Sequence, residues 1–130
     1  MNRTLRISLA VLVGVALFAA GFLAAQNKFG QPKTVIHVVA VKFKADSPPA
    51  QQQAALQGVL DVAAKMPGVK NVWIKSTRVQ PQGYSAAFVI EFADRAAADA
   101  YAESPIRNDW FNKIYNPIRE ESRSFQITNP

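Results

Sequence analysis

The sequence contains no cysteine and only one histidine, His37. Without cysteine the chain has no disulfide, no thiolate nucleophile, no cysteine-ligated metal and no lipid-modified cysteine anchor. A single histidine excludes a site in which two histidines share a metal, and carboxylates such as Asp94, Asp99 and Glu103 lack a clear ligand spacing. We therefore expect no metal and no cofactor, and a fold that packing alone stabilises.

Acidic residues are also few: nine stand against 15 lysines and arginines in 130 residues, for a formal net charge of +6. Three of the basic residues, Arg3, Arg6 and Lys28, come before residue 33, so the remainder of the chain is only mildly basic. The other basic residues are dispersed rather than gathered in one run. This distribution is typical of a solvated surface, and we expect no nucleic-acid partner.

The longest apolar run is residues 7–25, which carries no charge and in which Ser8 is the one clearly polar residue. It follows a short head with Arg3 and Arg6, which is the pattern of an export signal. Its length exceeds that of a usual signal-peptide core and reaches that of a membrane span, and the best cleavage pattern, residues 19–21, lies inside the run. Residues 1–26 are therefore either a signal peptide or an uncleaved membrane anchor, with a buried core helix as a third reading.

The first two readings predict where the rest of the chain lies. The domain would be exported to the periplasm or the cell exterior, or would be membrane-anchored on the outer side of the cytoplasmic membrane. Residues 27–32 contain Gly30 and Pro32 and no periodic pattern, which predicts a linker. The domain is then residues 33–130.

Within this domain, apolar residues alternate with period two over Val35–Phe43 and residues 84–92, and shorter strands are predicted over residues 69–75 and 121–127. A helix begins near Asp46 and Ser47, either of which can cap it, and ends before Pro67. Its apolar stripe is Leu56, Val59, Leu60, Ala63 and Met66. A second helix is capped by Asp94, and a third begins after Ser104 and reaches residue 114.

The resulting β-α-β-β-α-β order predicts an α+β, ferredoxin-like antiparallel sheet with its helices on one face. The other face would then expose apolar side chains, which a monomer rarely leaves open. The predicted set is Ile36, Val38, Ala40, Val72, Ile74, Ala87 and Val89. A second copy packed through a twofold axis would cover this face and form a dimeric barrel.

Five segments carry a resemblance to a known family. They are residues 36–44 (IHVVAVKFK), 66–69 (MPGV), 83–84 (GY), 91–94 (EFAD) and 100–105 (AYAESP). In this combination the chain resembles the stress-responsive α/β-barrel (Dabb) domain family over nearly the whole predicted domain. The resemblance implies a homodimeric barrel of ferredoxin-like subunits, each with an apolar pocket between its helices and its sheet.

The resemblance also implies which residues form the pocket. In polyketide-cyclising members a histidine of the first strand, a tyrosine of the second helix and a histidine after the proline line it, and His37 and Tyr101 are similar to the first two. Arg107 stands where the third is expected and cannot accept a proton, while Ser104 replaces another histidine. The implied ligand-binding residues are His37, Val39, Val41, Phe88, Tyr101, Arg107, Trp110 and Phe111. Tyr115 is expected in the same region.

Three functions remain open at this point. The favoured one is a module that binds a small apolar or anionic molecule. An alternative is a cofactor-independent cyclase, lyase or monooxygenase-like enzyme, with His37 as the catalytic base and Tyr101 as the hydroxyl donor. The third is a structural stress-response protein without a ligand, in which His37, Tyr101 and Arg107 only pack. Fold analogy alone does not separate the three.

Overall fold

The domain has the predicted β-α-β-β-α-β order. The computed structural model describes residues 11–15, 30–80 and 82–130. Its elements are β1 (Val35–Phe43), α1 (Pro49–Ala63), β2 (Val69–Trp73), β3 (Ala86–Phe92), α2 (Arg95–Glu103), α3 (Pro105–Trp110), a π-helical segment (Phe111–Tyr115) and β4 (Arg119–Ile127). The last strand begins two residues earlier than predicted, and β2 ends two residues earlier.

The four strands form one antiparallel sheet in the order β2-β3-β1-β4. One side of β1 and β3 packs against the helices, because their alternating apolar residues are almost completely buried there. Val41, Ile90 and Phe92 are fully enclosed in this core. The period-two pattern of these two strands therefore identified the helix-covered face of the sheet correctly.

The first helix differs from its prediction in two ways. Pro48 is the N-cap of α1, and no side chain bonds to the free amides. The predicted cap by Asp46 or Ser47 is wrong: the Ser47 hydroxyl donates to the Lys44 carbonyl oxygen (2.7 Å) and accepts from the Gln52 side-chain amide (2.9 Å). Both bonds close the turn before the helix.

The buried stripe of α1 is also rotated from its predicted position. Its buried residues are Ala55, Gly58, Val59, Val62 and Ala63. Burial of Val59 and Ala63 was predicted, whereas Leu56 and Leu60 are only half-buried at the edge of the stripe. The reason is a contact from outside the helix. The indole of Trp110 packs on Gly58, where a Cβ would overlap the ring, and its N–H donates to the Ala55 carbonyl oxygen at 3.1 Å.

The two later helix starts agree with the sequence. Asp94 caps α2, its Oδ1 accepting from the amide of Ala97 at 2.8 Å. The Ser104 hydroxyl accepts from the Arg107 amide at 3.5 Å, and Pro105 opens α3. The chain then widens into the π-helical segment, closed by a 2.7 Å bond from the Asn116 amide to the Phe111 carbonyl oxygen. Such segments are rare in proteins, and those that occur lie frequently at functional sites.

The prediction that Val72 and Ile74 point away from the helices is wrong. A register shift at the start of β2 inserts a bulge, which reverses the face of every residue after it. Val72 therefore lies opposite Ile90 on the helix side, and Ile74 follows the strand and packs against the core. Trp73 takes the outward position, opposite Val89, with half of its surface exposed.

The uncovered face of the sheet, called the open face below, carries an unbroken apolar row across all four strands. Strand pairing aligns its members in the order Trp73, Val89, Val38 and Phe125. Ile36 and Ile127 form a neighbouring pair. Trp73, Phe125 and Ile127 are each at least half exposed. The predicted apolar open face is thus present, with Trp73 in place of Val72 and Ile74.

The chain divides by its contacts into Met1–Gln31 and Pro32–Pro130. In the first unit residues 11–15 are helical, and most of the run from 7 to 25 lies outside the described residues. The expected signal peptide or anchor therefore falls largely on positions that the structure does not describe. Among the described residues, no helix combines the length and the apolar character that a membrane span requires.

Candidate functional site

His37 lies on the helix-facing side of β1, between Val35 and Val39, and pairs across the sheet with Ile90 and Gln126. Its Nδ1 is buried and has no hydrogen-bond partner among the described residues. Burial lowers the pKa of His37, and the positive charge of Arg107 lowers it further. The imidazole is therefore neutral at physiological pH, and a neutral imidazole can accept a proton or a hydrogen bond.

A cavity of about 100 Å³ opens beside His37, between the sheet and the C-terminal helices. Its lining residues are His37, Val39, Phe88, Tyr101, Arg107, Trp110, Phe111, Tyr115, Ser122 and Ser124. A volume of this size holds about three or four water molecules or one small organic molecule. The cavity is therefore limited to small ligands in this conformation.

Three aromatic rings form one wall of the cavity. Trp110 stacks on Tyr115 with ring centroids 5.0 Å apart and planes 23° apart. The Phe88 ring meets both at about a right angle, with centroids 6.3 and 6.2 Å away. The bond from the Trp110 indole to the Ala55 carbonyl oxygen fixes this arrangement to α1. Edge-to-face and stacked contacts of this kind add to the energy of burial, so they stabilise the wall.

Tyr101 contributes a phenol from α2. Its ring packs against Phe92 at a centroid distance of 5.2 Å, and only 5% of the residue is exposed. Burial raises the pKa of Tyr101 to about 12, against the opposing effect of the Arg107 charge. The hydroxyl therefore keeps its proton at physiological pH and can donate a hydrogen bond into the cavity.

Two guanidinium groups lie at the Phe111 ring. The Arg107 guanidinium carbon is 4.6 Å from the ring centroid and that of Arg119 is 5.5 Å from it. Arg107 donates to Asn108 Oδ1 at 3.0 Å, and Arg119 donates to Asn116 Oδ1 at 2.7 Å. In the part of the chain that the structure describes, neither arginine forms an ion pair with a carboxylate. The region therefore has an uncompensated positive charge.

Buried polar atoms without partners concentrate at this place. Among the described residues they include His37 Nδ1, Arg107 Nε, the Tyr115 hydroxyl and Arg119 Nε. Three of these four residues line the cavity, and the fourth, Arg119, lies beside the Phe111 and Tyr115 rings. Buried polar groups in folded proteins are normally bonded, so this concentration needs a physical explanation.

The structure brings together seven of the eight residues expected at the pocket. Val41 is the exception: it lies on the same face of β1 but is completely enclosed by the core and does not reach the cavity. Ser122 and Ser124 line the cavity from β4 and were not expected. In the sequence, only the alternation of these serines along the last strand pointed to a role in the cavity. Such alternation is also typical of a solvated strand. Within the described residues no three His, Asp or Glu side chains form a metal-binding group.

The fold and most of the sequence match known proteins. A family model described as the stress responsive A/B barrel domain (Dabb) matches residues 35–129. A Dabb family protein with a ferredoxin-like fold from Mesorhizobium loti superposes with a TM-score of 0.64 at 20% identity, covering 75% of this chain and 97% of its own. No curated protein matches the sequence significantly.

Two further solved structures show the range of proteins with this fold. A dimeric ferredoxin-like protein of unknown function from Thermobifida fusca has a TM-score of 0.64 and 17% identity, covering 78% of this chain and 96% of its own. The hydroxynitrile lyase of Passiflora edulis has a TM-score of 0.66 and 16% identity, covering 74% and 93%. At such identities these structures establish the fold only. The family match extends over most of the chain, which therefore belongs to the stress responsive A/B barrel domain family.

Proposed function

We propose that this domain binds a small anionic molecule in the cavity beside His37. The observation that carries the proposal is the pair of guanidinium groups, Arg107 and Arg119, without a carboxylate partner among the described residues. A partly buried cation without a counter-ion is unfavourable, because desolvation weakens its interaction with water. A bound carboxylate would supply the missing negative charge.

The geometry of arginine supports a carboxylate in particular. A guanidinium presents parallel N–H groups that match the two oxygens of a carboxylate, and such charge-assisted bonds are stronger than neutral ones. Arg107 Nε has no partner among the described residues and is available for this role. The imidazole of His37 is neutral, so it adds no positive charge to the site. It can accept a hydrogen bond from a donor group of the ligand.

The cavity also limits the carbon skeleton of the ligand. At about 100 Å³ it is smaller than the roughly 150 Å³ of an engineered cavity that holds benzene. Val39, Phe88 and Trp110 offer an apolar surface to a short alkyl group. A two- to four-carbon carboxylate satisfies both the charge and the volume.

Titration of the purified chain with sodium propionate, followed by NMR or calorimetry, tests the proposal. We expect saturable binding that Arg107→Gln weakens about 10- to 100-fold, since bonds to charged groups contribute about 1.5–3 kcal/mol. Arg95→Gln is the matched control, because Arg95 is exposed and its one ion-pair partner among the described residues is Asp99. If no short carboxylate binds, or if both variants bind as the wild type does, the proposal is wrong.

A second candidate is a cofactor-independent enzyme with His37 as its base. The observation that favours it is the neutral imidazole with an unpartnered Nδ1 in the described structure, near the protonated phenol of Tyr101. A base and an acid that line one cavity are the elements of general acid–base chemistry. Prolonged incubation with a bound carboxylate separates the two candidates: conversion that His37→Ala abolishes supports the enzyme, and unchanged ligand supports the binding module.

We further propose that two copies associate through the open face. The apolar row from Trp73 to Phe125 supports this, because monomers rarely expose such a continuous patch. The Thermobifida fusca protein of the same fold is described as dimeric. Sedimentation equilibrium of the purified chain tests the proposal, and a monomer at micromolar concentration contradicts it.

Export through residues 1–26 remains a proposal as well. It rests on the uncharged run 7–25 behind Arg3 and Arg6, and on no other observation. Fractionation of expressing cells and the mass of the isolated protein test it. A full-length protein in the cytoplasm contradicts export, while a shortened or membrane-bound protein outside the cytoplasm supports it and distinguishes cleavage from anchoring.

A further inference from the structure

The last strand, β4, lines the cavity with polar side chains. The residues of β4 that share the helix-facing side with β1 are all polar, although their partners there are mostly apolar. In pairing order they are Arg119, Ser122, Ser124 and Gln126, opposite Phe43, Val41, Val39 and His37. Ser122 is half-buried at the cavity, and Ser124 is exposed at its edge. A strand that turns hydroxyls toward a buried region provides hydrogen-bonding groups there.

Tyr115, whose ring belongs to the aromatic wall, supplies a further polar group to the cavity. The residue is 2% exposed, and its buried hydroxyl interacts with the Ser122 side chain without reaching hydrogen-bond geometry in the described structure. Its ring packs between Trp110, stacked at 5.0 Å, and Phe111 at 5.6 Å, which limits the movement of the phenol oxygen. A buried hydroxyl without a full hydrogen bond is unfavourable, and a ligand oxygen bound between Tyr115 and Ser122 would complete its bonding.

Ser122 is arranged to assist this hydroxyl. Its Oγ accepts a hydrogen bond from the Arg119 guanidinium at 3.2 Å. With that lone pair used, the serine still has its own proton to donate and a further lone pair. The Tyr115 phenol can likewise donate or accept. Together the two hydroxyls can bind either an alcohol or a carbonyl oxygen.

We propose that the ligand is a short hydroxy- or oxo-carboxylate, whose second oxygen is bound by the Tyr115 and Ser122 hydroxyls. The inference rests on the proposed function, since it requires the carboxylate at Arg107. The anion lies at the guanidinium, the alkyl part contacts Phe88 and Trp110, and the oxygen at C2 reaches Tyr115. A simple alkyl carboxylate of the same length leaves the Tyr115 hydroxyl unpaired.

Three carboxylates that differ only at C2 test the inference: propionate, lactate and pyruvate. We expect the purified wild-type chain to bind lactate or pyruvate at least about fivefold more tightly than propionate, which corresponds to one net hydrogen bond. Tyr115→Phe removes only the hydroxyl and should abolish this preference, so that lactate and pyruvate bind no more tightly than propionate does. Ser122→Ala should reduce the preference.

Two controls keep the result interpretable. Tyr84→Phe removes the same group from a tyrosine whose hydroxyl donates to Glu121 at 2.7 Å and which does not line the cavity, so it should retain the preference. Denaturation of Tyr115→Phe should show little loss of stability, because the removed hydroxyl only interacts with Ser122, outside hydrogen-bond geometry, in the described structure. Folding failure is therefore not expected to obscure the comparison.

The outcomes separate the two proposals. If propionate binds and neither lactate nor pyruvate binds more tightly, the hydroxyl inference is wrong while the anion site stands. If a preference exists but Tyr115→Phe retains it, the assignment to Tyr115 is likewise wrong. If none of the three carboxylates binds, the proposed function fails and this inference fails with it.

Discussion

The guanidinium of Arg107 lies over the Phe111 ring at 4.6 Å and lowers the pKa of His37 across the same cavity. Burial is the larger cause of the lowered pKa, and the charge acts in the same direction. A charge in the short helix α3 therefore helps to keep His37, on β1, in its neutral form. This relationship has two measurable consequences.

The first consequence is a change in the titration of His37. Arg107→Gln removes the positive charge but leaves the imidazole buried, so we expect the pKa of His37 to rise toward its ordinary value of 6.5 without reaching it. NMR titration of the imidazole carbon-bound protons measures this directly. Arg95→Gln should leave the pKa unchanged, and an unchanged pKa in Arg107→Gln would mean that burial alone is responsible.

The second consequence is a pH dependence of stability. Because the folded pKa of His37 lies below the unfolded value of about 6.5, the unfolded state binds the proton more readily. Stability should therefore be intact above pH 6.5 and fall as the pH drops from about 6.5 toward the folded pKa. Urea unfolding between pH 7.5 and 5 measures this fall.

His37→Gln isolates the contribution of the histidine. The lowered pKa values of Glu91 and Glu121 also destabilise the fold in acid, but they act below about pH 4.5 and affect both proteins equally. The difference in unfolding free energy between wild type and His37→Gln should therefore change between pH 7.5 and 5. A constant difference over that interval contradicts the assigned pKa direction.

Gly58→Ala should destabilise the fold. Alanine is the better helix former by about 1 kcal/mol, yet its Cβ would overlap the Trp110 indole, which Phe88 and Tyr115 hold in place. Overpacking typically costs about 1–3 kcal/mol, and displacement of the ring also breaks its bond to Ala55. We expect a net loss of about 1–2 kcal/mol in urea unfolding. Gly30→Ala, with open space around its Cβ, should change nothing, and a stabilised Gly58→Ala would refute the argument.

Two aspartates provide a matched test of helix capping. Asp94 accepts from the Ala97 amide, so Asp94→Ala should cost about 1 kcal/mol of unfolding free energy. Asp46 precedes α1, which has no side-chain cap, so Asp46→Ala should cost little. Thermal or urea denaturation of both variants measures the difference. Equal losses would show that the bond at Asp94 contributes nothing specific.

The features that were predictable from the sequence are those that local physics determines. Periodicity over Val35–Phe43 identifies the buried face of β1, because side chains of a strand alternate regardless of its partners. Asp94 and Ser104 mark helix starts because a cap needs only the first turn of its own helix. The family resemblance added His37, Tyr101 and Arg107 as neighbours, which spacing in the sequence alone could not have indicated.

The features that were missed depend on contacts between distant segments. The bulge that turns Trp73 outward arises from how β2 pairs with β3, and the rotated face of α1 depends on Trp110 packing against Gly58. Ser122 was missed because a serine in an alternating strand is equally typical of a surface. Its position opposite Val41 is apparent only from the register of β4. Pairing and packing, rather than propensity, decided each of these cases.

The open face gives the last prediction. Phe125 ends the apolar row on an edge strand and is 57% exposed, so a charge there is tolerated by a folded monomer. If two copies pack through this face, Phe125→Glu buries an unpaired carboxylate in each subunit, and such burial costs several kcal/mol. We expect the dimer dissociation constant, measured by sedimentation equilibrium, to rise at least about 100-fold. Ile114→Glu is the control, because Ile114 is similarly exposed at 44% but belongs to the π-helical segment. If Ile114→Glu abolishes the dimer and Phe125→Glu retains it, the interface lies on the helical side of the domain and not on the open face.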